Sequence, residues 1–348
     1  MGETAAADAL LNTRGESRSL DAFVVAACFD RGSRFCAFAL GDGTLRILEG
    51  LGQAEWRSVS VHAGAVLALA PDAGPGGFVS GGDDGAFRRT GAEGEPADIQ
   101  RFGSRWVEHA ASHAGAREGG LLAASVGRNV HLFDAAGTPL KTFEHKSTVS
   151  GIAFDGKGKR VAASHYNGVS LWFVGAKDAS PRELEWKGSH IGVAIHPEGD
   201  AVVSAMQENT LHGWRLSDGQ HLRMSGYPAK TESLSFSRRG KWLATSGADA
   251  IILWPFFGGG PMGKAPLEIA GGDGVLCTRV ACHPEQDAVA GGFADGLVVL
   301  ADVDKGRVLP VAAPGRGPVS ALSWSPDGTR LAFGTENGFA AIVDFAKR

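Results

Sequence analysis

The stretch Gly258-Gly259-Gly260-Pro261-Met262-Gly263-Lys264-Ala265 has the glycines and the lysine that could cradle the phosphates of a nucleotide. The GxxxxGK[ST] pattern needs a hydroxyl at its last position for magnesium and a helix opening directly from the loop. Ala265 has no hydroxyl, and no helical period follows it, so an inter-strand loop is expected. His109 and His113 stand four residues apart, a spacing that pairs imidazoles for a metal on a helix but not on a strand. Glu108 and His109, with Arg105 close by, are polar groups expected on an innermost strand, where they would line a wet central channel. A hydrolytic or metal site there is the competing reading. Cys28, Cys36, Cys277 and Cys282 form no CxxC or zinc spacing, which points to buried free thiols, with a redox pair as the alternative. The GxSxG and HExxH patterns do not occur. No catalytic residue, cofactor or metal is assigned.

These side chains must be positioned by strands. A short phrase of apolar strand, tight turn and apolar strand recurs about every 42 residues, a period in the range of repeat architectures. Its eight turns are Asp42-Gly43, Asp84-Gly85, Arg128-Asn129, Asn167-Gly168, Glu208-Asn209, Asp249-Ala250, Asp295-Gly296 and Asn337-Gly338. Asp or Asn followed by Gly predicts a type I′ hairpin, in which both central residues take positive φ. Each unit reads as four strands, the last as Val319 to Trp324, Arg330 to Thr335 and Phe339 to Phe345 plus one strand missing at the chain end. Such a sheet has two faces and little core, so the units must stack and close into a ring. Small residues on the second strands, such as Ala123-Ala124-Ser125 and Ala162-Ala163-Ser164, let neighbouring sheets approach. Phe133, Trp172, Trp214 and Trp254 on the third strands fill the wedge between them.

Closure needs an outer strand for the last unit, because an open edge invites aggregation. The segment from about Ala7 to Thr13 is expected to supply it. Residues 1–20 then form a strap and residues 21–348 the ring. The net charge of −4 and the scattered Lys and Arg argue against binding nucleic acid through its phosphates. The acidic N-terminal residues do not match a signal peptide, and no apolar run approaches the roughly 18 residues of a spanning helix. A soluble, cytoplasmic protein without membrane contact is expected. The abundance of Ala and Gly suggests a bacterial source.

The last unit runs Val319-Ser320-Ala321-Leu322-Ser323-Trp324-Ser325-Pro326-Asp327-Gly328, then Thr329 to Gly338 through a second strand and an acidic turn. In this order of strand, Ser-Pro-Asp-Gly turn, strand and tight turn, the chain resembles the WD40 repeat family over roughly residues 21 to 345. Weaker copies stand at His196-Pro197-Glu198-Gly199 and His283-Pro284-Glu285-Gln286. The Trp-Asp pair is absent, with Phe133-Asp134 and Val343-Asp344 in its place, and the Gly-His pair is missing. The resemblance implies an all-β, single WD40-type β-propeller of four-stranded antiparallel blades, eight by the turns and seven as the alternative. It also implies structural networks in which a histidine bonds a turn Asp and a strand Ser. His62 would meet Ser80 and Asp84, and His145 would meet Ser164, with Asn167 in the Asp position and Trp172 as the aromatic.

In this strand order all the tight turns reach one face. That rim carries Asp42, Asp84, Glu208, Asp249, Asp295 and Glu336, with Asn167 and with Arg128 as its one cation. Turn geometry alone accounts for Asp and Asn there, and an acidic field for a basic partner segment is the functional reading. Family analogy then makes the chain a non-enzymatic protein-interaction scaffold, monomeric by itself, that docks a protein or peptide on its loop-rich face. The alternative is an enzyme or a small-ligand or metal binder that uses the channel, with Glu108, His109 and Arg105 as the residues involved.

Overall fold

Strands with no exposed face lie at the middle of every sheet. In Phe35–Leu40, Leu121–Val126 and Ala201–Met206 each residue is buried, because both faces are covered by neighbouring sheets. This is why Ala, Val, Leu and Phe follow one another there without polar alternation. The outer strands instead keep one wet face: in Pro139–Glu144 only Phe143 is buried. The computed structural model describes residues 8–52, 55–115, 119–177, 180–272 and 274–346.

The first unit shows the pattern. Val24–Phe29 lies innermost, followed outward by Phe35–Leu40, Thr44–Glu49 and Arg57–Ser60, all antiparallel. The register passes from Cys28 to Ala37, from Ala37 to Ile47 and from Ile47 to Arg57. Innermost strands touch in ring order: Val24–Phe29, Val66–Pro71, His109–His113, Gly151–Phe154, Arg182–Ile195, Leu234–Phe236, Cys277–Cys282, Val319–Trp324, and back to the first. The ring is therefore a single closed β-propeller. Its seam is packed like the rest, with Val24, Phe38 and Leu40 against Ala332, Ala340 and Ile342. The Ser320 hydroxyl donates to the Val24 carbonyl at 2.6 Å across the seam.

Among the described residues the strands pair into seven sheets, six of four strands and one of six. Seven is the alternative count from the sequence, and the eight separate sheets of the leading expectation do not form. The cause is local. Arg160–Phe173 and Arg182–Ile195 each run for 14 residues, against the usual five or so. The first doubles back at Asn167-Gly168, whose φ values are 69° and 146°. The Val174 amide closes that hairpin on the Lys159 carbonyl at 3.0 Å. Arg182–Ile195 pairs first with Gly168 to Leu171 and later, past an irregularity at His190, with Val202 to Met206. No break separates these two units, so they share one sheet.

The strap also departs from expectation. Ala9–Arg14 is a short helix, and the added outer strand is Gly15–Ser19, paired with Phe339–Asp344 from Gly15 opposite Val343 to Ser19 opposite Phe339. Ala, Leu and Arg favour helix over strand, and Leu11 buries itself beside Val311 and Ala312. Asp8 anchors the start, its carboxylate 2.7 Å from the Arg316 guanidinium and accepting the Ala313 amide at 2.6 Å. Residues 1–7 of the expected strap lie outside the described residues. No helix among the described residues is long and apolar enough to cross a membrane.

Candidate functional site

The tight turns differ from the expected mirror-image hairpins. Gly43, Gly85, Gly296 and Gly338 take φ between 73° and 96°, but the Asp or Asn before each does not have positive φ. Each of these glycine amides bonds the carbonyl three residues earlier, as Gly43 does with Leu40 at 3.2 Å. The geometry is a type I turn closed by a left-handed glycine, a three-residue loop. The Asp earns its place by an Asx bond: Asp42, Asp84 and Asp295 accept the amides of Thr44, Ala86 and Leu297 at 2.9–3.1 Å. Only Asn167-Gly168 has both central residues at positive φ.

Connections from each outer strand to the next inner strand share this face. The Val61, Phe102 and His145 amides bond the carbonyls of Gly43, Gly85 and Arg128. Asp42, Arg128, Asn167, Glu208 and Glu336 are exposed, while Asp84, Asp249 and Asp295 are half-buried. Arg128 is neutralised by Glu144 at 2.6 Å. Asp42, Glu208, Asp249, Asp295 and Glu336 form no ion pair among the described residues. Three large aromatics stand exposed on the same side: Phe23 and Trp106 in the connections and Tyr166 at a turn, the last two 57% and 59% exposed. The sequence reading singled out the acidic turns and missed these aromatics, which no local pattern marks.

The His62 network forms. Its Nδ1 lies 2.8 Å from Asp84 Oδ1 and its Nε2 2.9 Å from the Ser80 hydroxyl. Burial depresses the His62 pKa despite the nearby carboxylate. Burial alone would raise the Asp84 carboxyl, but His62 and the amides of Ala63 and Ala86 outweigh it and hold it low. The His145 network is rearranged. His145 Nδ1 points to the Arg128 carbonyl at 3.1 Å, and its Nε2 accepts the Trp172 indole N–H at 2.9 Å. Ser164 donates instead to the Gly151 carbonyl, and Asn167 accepts the Gly188 amide. His165, unassigned from sequence, lies 2.8 Å from the Ser170 hydroxyl, which donates to Glu183. His190 likewise meets Ser204 at 2.6 Å. His196 and His283, read as turn residues, reach across to the carbonyls of Gly240 and Gly328 in the following units.

The axis holds an open cavity of about 460 Å³ lined by Glu108 and His109 together with inner-strand residues such as Leu67, Ile152, Val193 and Leu234. Burial raises the Glu108 pKa and draws His109 down to about 4. Arg105 does not join them; its Nε donates to the Phe102 carbonyl at 3.3 Å. His113 turns away to the Gly156 carbonyl. Lys264 closes its own glycine loop by donating to the carbonyls of Phe257 and Gly258. All four cysteines are free thiols, and burial pushes Cys277 and Cys282 up to about 12. Among the described residues one group, His196 with Glu198 and Asp200, has metal-ligand spacing. Its imidazole nitrogens are already engaged by the Gly240 carbonyl and the Glu198 amide.

Comparison with known proteins agrees with this geometry. The family model for the WD domain, G-beta repeat matches residues 137–172, and that for the anaphase-promoting complex subunit 4 WD40 domain matches residues 280–348. Autophagy-related protein 16 of Arabidopsis thaliana is 26% identical over 187 residues, 51% of this chain. The match spans only about a third (35%) of that protein's length. The serine-threonine kinase receptor-associated protein of Bos taurus is 21% identical over 258 residues, 71% of each chain. These relatives are a plant and an animal protein, so they lend no support to a bacterial source. The computationally designed Ika8 protein has the same fold, with a TM-score of 0.76 at 19% identity over 94% of this chain and 98% of that one. The repeated turns, the closed propeller and the two family models show WD40-type repeats in this chain.

Proposed function

We propose that this propeller is a non-enzymatic scaffold that docks a protein or peptide with a basic segment on its turn face. Its WD40-type repeats support the scaffold role. The observation that carries the docking face is the coincidence there of unpaired carboxylates with exposed Phe23, Trp106 and Tyr166. Aromatic anchors within a charged rim are what partner surfaces use, and carboxylates without counter-charges present a field that draws cations. In this reading the rim comprises Asp42, Asp84, Arg128, Asn167, Glu208, Asp249, Asp295 and Glu336. The His62 and Ser80 side chains, with Asp84, and the His145 and Trp172 pair hold the frame.

Residues 1–20 act as the strap and residues 21–348 as the propeller. The scaffold acts as a cytoplasmic monomer, away from nucleic acid and membranes; four free thiols suit a reducing compartment. The test compares proteins co-purified at moderate salt with the wild type and with the Asp42→Asn, Asp249→Asn, Asp295→Asn triple variant. A stoichiometric partner retained by the first and lost from the second is expected. A partner held equally by both would reject the acidic face.

A further inference from the structure

On the face away from the rim, several exposed cations are matched by carboxylates: Arg34 by Glu49 at 2.6 Å, Lys241 by Asp304 at 3.3 Å, Lys305 by Asp302 at 3.4 Å, and Arg215 by Asp218. One stretch of that face departs from this. The turn before Arg160–Phe173 and the loop after it border an open recess of about 420 Å³ lined by residues 157–159 and 173–176. The Val174 amide, bonded to the Lys159 carbonyl at 3.0 Å, ties its two sides together. Lys157 and Lys159 are exposed on one side, and exposed Lys177 follows the other. Lys141 reaches over from the outer strand Pro139–Glu144, its Nζ donating to the Val174 carbonyl at 2.8 Å and to the Ala176 carbonyl. Carbonyls solvate an ammonium without neutralising it, and none of these lysines makes an ion pair among the described residues. The carboxylate of the turn, Asp155, is buried and held by Arg160 at 2.8 Å. Phe173, at the same recess, stands 52% exposed.

We propose that this recess docks an acidic peptide segment of a partner protein, its carboxylates set against Lys141, Lys157, Lys159 and Lys177. The lysines come from an outer strand, a turn and a loop that converge on one place, so a chain bearing several carboxylates meets them together. Unpaired cations present a field that draws anions and repels basic partners. The recess is concave, which suits a peptide, whereas a flat bilayer would meet only its edges. Exposed Phe173 adds an aromatic contact of the kind partner surfaces use. This surface is opposite in sign and in position to the acidic rim, and it does not depend on the docking role of the turn face.

Fluorescence anisotropy of the full chain with a labelled Glu-Glu-Phe-Glu-Glu-Glu peptide, and with its Gln-Gln-Phe-Gln-Gln-Gln counterpart, tests the proposal. The acidic peptide is expected to bind about ten-fold more tightly than the neutral one or better, and to weaken as salt rises. Lys157→Glu with Lys159→Glu should abolish that preference, and Asp42→Asn on the rim should leave it intact. Amide resonances of Gly158, Gly175 and Ala176 in the wild type should shift on adding the acidic peptide, a readout that needs no variant. The proposal is overturned by an absence of binding at about 1 mM peptide, or by equal binding of the two peptides. It is equally overturned by a preference that survives the double lysine variant, or by shifts confined to other amides. Capture of the chain by phosphatidylserine vesicles that the acidic peptide does not displace would assign the surface to a membrane and overturn it as well.

Discussion

Acid should destabilise this protein well before its carboxylates titrate, because of its histidines. His62, His109, His131, His145, His190, His212 and His283 all have pKa values held below the ordinary 6.5, with burial the leading cause in each. His109 falls to about 4; His212 falls to about 3, where His221, His190 and the Arg223 guanidinium add to burial. At intermediate pH these rings are neutral when folded and charged when unfolded. The unfolded chain then binds more protons, so stability falls as pH drops below about 6.5 and is kept above it. A ring whose folded pKa lies well below that window, as those of His109 and His212 do, costs about 1.4 kcal/mol per pH unit within it. His212 is 1% exposed, so from pH 6.5 to 5 it should lose about 2 kcal/mol. His109 is partly exposed, and about half that figure is appropriate. The two together remove about 3 kcal/mol from a total on the order of 5–15, and five further histidines act in the same direction. Asp84 and Asp155 are held below 3.8 and lose their contribution only in stronger acid, so this window belongs to histidine. Urea denaturation at fixed ionic strength between about pH 7.5 and 5 should show this fall. His212→Gln should flatten the slope by about one proton. A stability that is level or rising as pH falls from 6.5 to 5 would refute the reasoning.

Removal of residues 1–19 strips the outer strand from Phe339–Asp344 and uncovers the apolar cluster around Leu11. The thermal midpoint should drop by about 10 °C or more, and an unchanged midpoint would show that the strap is dispensable. At Gly43, with φ of 85°, a methyl would run into the His62 and Gly64 carbonyl oxygens; Gly50, at 65°, has open space. Chemical denaturation should therefore find Gly43→Ala worse than Gly50→Ala by at least about 2 kcal/mol, the second costing only the 1–2 of the left-handed conformation. A double-mutant cycle of His62→Ala with Asp84→Asn should return a coupling of about 1.5–3 kcal/mol, and additivity would mean that their short contact contributes nothing.

What could be read without coordinates was what local chemistry decides. Asp42-Gly43 and Asp295-Gly296 announce turns because an Asx bond and a left-handed glycine are satisfied within a few residues, so the repeat and the propeller were legible. Even there the turn class was missed, since Asp-Gly suits both the mirror-image loop and the type I loop that occurs. Ala9–Arg14 went to helix because its own propensity prevailed, while the edge it was expected to cover is served by Gly15–Ser19. The sheet count failed where a tertiary contact decided it: Tyr166 pairs with Ser189 and keeps Arg182–Ile195 extended through what would be a break. His145 meets Trp172 rather than Ser164 because Arg128 offers its carbonyl to Nδ1, leaving Nε2 as an acceptor for the indole. Glu108 shows the limit most clearly. Its place just ahead of the inner strand His109–His113 follows from the repeat, but its lack of a counter-charge depends on where Arg105, Lys230 and Arg279 come to rest. Those positions are set by the closure of the whole ring, and an unpaired charge is a property of that assembly rather than of any motif.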